Sequence, residues 1–184
     1  PLVKFSLSSS VNLPETHLRD LEAGETCLIE RVFTEQKQFE FTGKNKVSTY
    51  DDIAYIFKNL ENEAVENTFV VFVKDKKPTI LHVGMGVVDL SMADGQAIRV
   101  AEERIKPDAI YFVHNHPSGK VSASKQDKTL LASLKTAYGD KVKDGIIINL
   151  RSGKYGLFSA LGENNQNNGA EFFAKEPSKK SKLK

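Results

Sequence analysis

Two short apolar runs set the terms for any fold of this chain. "TFVVFV" at 68–73 and "AIYFV" at 109–113 carry β-branched, aromatic or other apolar side chains at consecutive positions, with no polar alternation. A strand turns successive side chains to opposite faces, so such runs bury both faces and need a covering layer on each side. The neighbouring segments can supply those layers. In "STYDDIAYIFKNL", Ser48 or Thr49 can act as N-cap and Asp51 and Asp52 favour the positive helix end. Ile53, Ile56, Phe57 and Leu60 then form an i, i+3, i+4, i+7 face.

The rest of the middle follows the same alternation. "KDKK" and Pro78 make a turn, and "TILHVGMGVV" reads as a second strand. "DGQAIRVAEERIKPD" reads as a helix ended by Pro107, and "SKQDKTLLASLKTAYGD" as an amphipathic helix closed by Gly139. "GIIINL" and "KYGLFS" form a hairpin-like pair around "RSGK". The sum is an α/β domain over 48–159, a mostly antiparallel or mixed sheet with helices on it.

The flanks carry weaker patterns. Residues 1–47 are expected to form an accessory or flanking segment, with a short helix in "PETHLRDLEAG" and short strands in "ETCLIERVF" and "KQFEF". A start at Pro1 fits the flank of a domain from a longer polypeptide. Residues 160–184 pass from the Asn/Gln-rich "GENNQNNGAEFF", which is assigned no fold, into the lysine-rich "KEPSKKSKLK". This end is expected to be a disordered polar and basic tail.

Composition narrows the setting. The 184 residues suit one domain of ordinary size, and no run approaches eighteen consecutive apolar residues, so a membrane is not expected as a partner. The opening residues lack the apolar stretch of a signal peptide. The single Cys27 permits neither an internal disulfide nor a thiolate metal site, which makes the cytoplasm the expected location. The net charge of +2 resides in the end of the chain. Taking the five lysines and one glutamate of the last ten residues from 26 basic and 24 acidic side chains leaves 21 against 23. The remainder is not a basic domain, so affinity for nucleic acid needs the tail or a local patch.

Chemistry concentrates in "HNHPSGKVSASKQD", where "AIYFV" runs straight into His114. Residues i and i+2 of a strand share a face, so His114 and His116 project together while Asn115 faces the other way. Two neutral imidazoles so placed can chelate a divalent ion, and zinc is the usual occupant of mixed nitrogen and oxygen sites. If a helix starts at Ser124, Asp127 sits on its first turn and can fold back towards the strand end. Three protein ligands leave a fourth position for water. Ser124-x-x-Asp127 by itself also reads as a capping box. His82, on the neighbouring strand, reads as a structural histidine.

The pattern His114-x-His116-x7-Ser124-x2-Asp127 resembles the motif of the JAMM metalloproteases, and "HNHPSG" resembles in particular their RadC branch. The likeness extends over about 48–159. It implies a cytidine-deaminase-like, MPN-type mixed sheet flanked by helices, with His114, His116 and Asp127 as zinc ligands. It further implies that Ser124 steadies a tetrahedral intermediate. A glutamate at the start of the strand "TFVVFV" would be the general base, with Glu66 the best match and Glu63 the next. The chain departs from the RadC pattern at Ala123, where proline is usual, and at Asp144-Gly145, where Asp-His is usual. The helix-hairpin-helix unit of full-length RadC proteins is not apparent in residues 1–47.

Two functions follow. The first is a zinc-dependent hydrolase cleaving a peptide or isopeptide bond of a protein substrate. The second is a non-catalytic or nucleic-acid-associated module of a repair or mobile-element system, a metal-dependent nuclease included.

Overall fold

Both apolar runs form strands at the middle of one mixed sheet. The computed structural model describes residues 2–7, 26–31, 42, 46–63, 65–85, 92–120, 122–149, 154–163 and 171–173. Its elements begin with β1 (Leu2–Leu7), β2 (Thr26–Arg31), α1 (Tyr50–Ile56) and a 3-10 turn (Lys58–Asn62). There follow β3 (Asn67–Lys74), β4 (Lys77–Met85), α2 (Met92–Ile105), β5 (Ala109–His116) and α3 (Lys125–Tyr138). A second 3-10 turn (Gly139–Lys141) leads to β6 (Gly145–Asn149), β7 (Lys154–Phe158) and β8 (Glu171–Phe173).

The strands lie in the order β1-β2-β4-β3-β5-β6-β7-β8. β3 is antiparallel to both β4 and β5, and β5 runs parallel to β6. β6, β7 and β8 pair antiparallel in sequence, while β1, β2 and β4 run parallel. The sheet is therefore mixed, as the alternation of elements implies.

Alternation along β3 and β5 divides the core in two. Val70, Phe72, Ile110 and Phe112 face α2 and α3, packing with Ala97, Ile98, Ala101, Leu131 and Leu134. Phe69, Val71, Tyr111 and Val113 face α1, meeting Ile53, Ile56, Phe57 and Leu60. The helical face read from sequence is thus the buried one. Phe69, Phe72 and Phe112 are wholly buried, and full burial of such a side chain contributes about 1.5–3 kcal/mol. The result is three layers, helix on sheet on helix.

Local signals place the helix ends. Thr49, of the two candidates, caps α1: its hydroxyl accepts from the Asp52 amide, and Asp52 Oδ2 accepts from the Thr49 amide at 3.0 Å. α2 starts two residues earlier than the sequence reading and stops at Ile105. Lys106 then takes φ 51°, the left-handed geometry that commonly ends a helix, and Pro107 cannot continue it. α3 ends at Gly139, whose φ of 74° suits glycine.

The strand expected in "ETCLIERVF" is β2; the other described parts of the flanks differ from expectation. β1 extends the sheet beyond β2, a strand the polar surroundings of residues 2–7 conceal. Glu171–Phe173, in the stretch assigned no fold, pairs with β7, and Phe172 stacks on Tyr155 with ring centroids 5.5 Å apart. The stacking of Phe172 on Tyr155 and the pairing with β7 outweigh the Asn/Gln-rich approach. The helix read at 14–24, the strand at 37–41 and the lysine tail at 175–184 lie outside the described residues. Among the described residues, no helix is long and apolar enough to cross a membrane.

Candidate metal centre

β5 delivers its two histidines at its carboxyl end, where the chain leaves for α3, the place α/β sheets reserve for ligands. His114 follows Phe112 on the α2/α3 face, is wholly buried, and is flanked by the rings of Phe112 (5.4 Å) and Phe158 (5.7 Å). His116, two residues on, is partly exposed. Beyond it the Gly119 amide donates to the His116 carbonyl at 2.9 Å, and Gly119 takes φ 78°, which closes the "PSG" turn.

The turn returns the chain to α3 with Ser124 as its N-cap. The Asp127 amide donates to Ser124 Oγ at 3.1 Å, and the Ser124 amide donates to Asp127 Oδ2 at 2.9 Å. The capping box is real, and the same Oδ2 faces the histidines, 3.2 Å from His114 Nε2 and 3.5 Å from His116 Nε2. The cap thus fixes the carboxylate in the orientation the cluster uses. Ser124 itself is exposed, and its hydroxyl, accepting one bond, keeps a proton to donate.

Glu66 reaches the cluster from the start of β3. Its Oε1 stands 3.9 Å from both His114 Nε2 and His116 Nε2. One donor atom from each of Glu66, His114, His116 and Asp127 lies within 4.8 Å of every other. Glu63 is not part of this group, and neither is His82, which is buried and stacked on Phe69 at 4.8 Å.

The donor chemistry fits a cation. His116 Nδ1 donates to the Lys120 carbonyl at 2.7 Å, and since a carbonyl only accepts, its Nε2 turns a lone pair inward. That lone pair meets His114 Nε2 at 2.9 Å and the Asp127 carboxylate. A tetrahedral ion with bonds of about 2.0–2.1 Å sets its ligand atoms about 3.3 Å apart. The three edges of the His114, His116 and Asp127 triangle, 2.9, 3.2 and 3.5 Å, bracket that value. Glu66 stands outside it. Asp127 Oδ1, buried and without a hydrogen-bond partner, leaves this carboxylate with coordinating capacity to spare.

Electrostatics agree. Where protons rather than a metal occupy the two Nε2 atoms, burial works to raise the Asp127 pKa, but hydrogen bonds from His114 and His116, the charge of His114 and the Ser124 amide outweigh it and hold the carboxyl well below the usual range. Burial would lower the His116 pKa; its bond to Asp127, the Lys120 carbonyl and the charges of Asp127 and Glu66 reverse this and raise it. Burial pushes the Glu66 carboxyl up, opposed by both histidines and assisted by Asp127. A buried anion, an imidazole with raised pKa and a carboxyl with raised pKa in one cluster are the combination in which functional sites are found.

Sequence comparison gives the family. The family model of the RadC-like JAB domain matches residues 47–161. The chain belongs to the RadC family. Its relatives include a UPF0758 protein of Chlorobaculum tepidum, 31% identical over 111 residues, covering 59% of this chain and 50% of that protein. A UPF0758 protein of Staphylococcus haemolyticus is 29% identical over 115 residues, with 59% and 50% covered. One from Pelodictyon phaeoclathratiforme is 24% identical over 166 residues, 86% of this chain and 74% of that protein. The chain spans about half the length of the first two relatives. It thus holds a JAB-type domain with a group of side chains able to bind a metal, the combination metal-dependent hydrolases use.

The sequence reading brings Glu66, His114, His116 and Asp127 to one place and leaves Ser124 at the cap beside them. It passed over two participants. The Lys120 carbonyl, which fixes the His116 tautomer, has no side-chain signature. Asn115, read only as facing away, grips the segment carrying Glu66, and no local pattern announces a contact 48 residues distant.

Proposed function

We propose that this RadC-family domain is a zinc-dependent hydrolase that cleaves an amide, a peptide or isopeptide bond of a protein substrate. His114 Nε2, His116 Nε2 and Asp127 Oδ2 hold Zn²⁺, Glu66 is the general base, and Ser124 donates to the developing oxyanion. Zinc, when bound at such nitrogen and oxygen donors, polarises a carbonyl and brings the pKa of a water towards 7. The single Cys27, which forms no internal disulfide, supports work in the cytoplasm.

The observation that carries this reading is the separation of Glu66 from the other three. At 3.9 Å from both imidazole nitrogens, its Oε1 is outside the ligand triangle yet within reach of a proton one water away. Burial raises its pKa, which makes the carboxylate a stronger proton acceptor. The Ser124 hydroxyl is the N-cap of α3, at the positive helix end, which supports its reading as the donor to the developing oxyanion.

Zinc stoichiometry and turnover of peptide and isopeptide substrates test the assignment. Glu66→Gln is expected to keep zinc and fold while losing about 10²–10⁴-fold in turnover. Asp127→Ala is expected to lose the metal as well. Full activity in Glu66→Gln would move the base elsewhere, and a zinc-loaded protein that cleaves no amide would overturn the substrate class.

A further inference from the structure

We propose that Asn115, the residue between the two histidines, is a positioning residue for Glu66. The inference rests on the reading of Glu66 as general base. Asn115 Oδ1 accepts from the Asn67 amide at 2.7 Å, and Asn115 Nδ2 donates to the Val65 carbonyl at 3.0 Å. These are the backbone groups on either side of Glu66. The Asn67 side chain reinforces the grip, its Nδ2 donating to the same Val65 carbonyl at 2.9 Å. Asn67 and Asn115 are both wholly buried, so water has no easy way to replace these bonds.

The ladder explains why a clamp is needed. Pairing between β3 and β5 starts at Thr68↔His114, so Glu66 lies beyond the last rung. The Asn115 side chain carries the connection further, to the amide of Asn67 and the carbonyl of Val65. A carboxamide alone among side chains of this size offers one acceptor and one donor in a single plane. Aspartate would set an acceptor against the Val65 carbonyl, and leucine would offer neither partner.

One strand end therefore fixes both halves of the site. His114 and His116 leave one face of β5 as donors for the metal, while Asn115 leaves the other face and holds the base. The place of the Glu66 backbone relative to the imidazoles is then set within three consecutive residues.

The test compares Asn115→Leu and Asn115→Asp with wild type. Asn115→Leu is expected to keep wild-type zinc content and KM while kcat falls about 10²-fold, the cost of a misplaced catalytic group. Added to Glu66→Gln, it should cost no more than about threefold again, since both changes act through one group. In the metal-free protein, hydrogen exchange of the Asn67 amide should quicken about tenfold or more, with the Val113 amide unchanged. Asn115→Asp, which retains the acceptor, should keep Asn67 slow and give an intermediate kcat; it carries the test if the leucine variant fails to fold. Loss of zinc in Asn115→Leu, an unchanged Asn67 exchange rate, or a loss that adds in full to that of Glu66→Gln would each overturn the proposal. Full activity in Glu66→Gln alone would remove the base and with it any catalytic role for Asn115. The Asn67 exchange rate, read without metal or substrate, still decides whether Asn115 holds the segment.

Discussion

Phe158 lays its ring across Gly145, its partner in the β6–β7 ladder, so closely that a β-carbon at 145 would come 2.1 Å from Cζ. The same ring stands edge-on to His114 at 5.7 Å and to Phe112 at 6.3 Å. Gly145 is where the chain departs from the Asp-His usual in RadC proteins, and Phe158 fills the space that a side chain there would take.

Gly145→Ala is accordingly expected to destabilise the domain by about 1–3 kcal/mol, the usual cost of overpacking a core. Urea unfolding reads this directly. The double variant Gly145→Ala/Phe158→Leu should recover part of the loss. An unchanged midpoint in Gly145→Ala would show that the Phe158 ring moves aside freely.

On the α1 face, alkaline pH is expected to weaken the fold. Burial pushes the Tyr111 phenol up to about 12, with Tyr50 and the Asp52 charge adding to the rise. Tyr155 is raised by burial and by its hydrogen bond to Asp51. An acid whose folded pKa exceeds its unfolded value near 10 keeps its proton longer when folded. The stability it lends is full below pH 10 and is lost as pH rises from there through the folded value. Thermal midpoints should hold up to about pH 10 and fall above it, less steeply in Tyr111→Phe. A flat profile from pH 9 to 12 would contradict this.

Nucleic-acid binding by residues 1–174 is expected to be weak. That part of the chain carries 21 basic against 23 acidic side chains, which leaves little long-range attraction for phosphate. Fluorescence anisotropy with single- and double-stranded DNA at physiological salt measures it. Nanomolar affinity would contradict the expectation.

Much of the fold was legible because its signals are local. The unbroken runs of β3 and β5 announce strands buried on both faces, and Ile53, Ile56, Phe57 and Leu60 announce the face of α1 and its following turn that they do bury. His114 and His116 share a face by strand periodicity, and Ser124 with Asp127 mark the start of α3. Edge strands were less legible: β1 and β8 depend on an available neighbour more than on their own residues. Glu66 was identified only by likeness to a family, since its place is set by hydrogen bonds from Asn115, a contact between distant segments that periodicity does not encode. Asp127 shows why motifs read two ways. One carboxylate closes a capping box and faces two imidazoles, and both readings hold together.

The central claim is that three of the four clustered side chains bind the metal and the fourth does not. X-ray diffraction from zinc-loaded crystals, recorded above and below the zinc absorption edge, tests it most directly. The expected result is one anomalous peak at about 2.0–2.2 Å from His114 Nε2, His116 Nε2 and Asp127 Oδ2, with Glu66 beyond bonding distance. A peak bonded to Glu66, or no peak within this cluster, would contradict it.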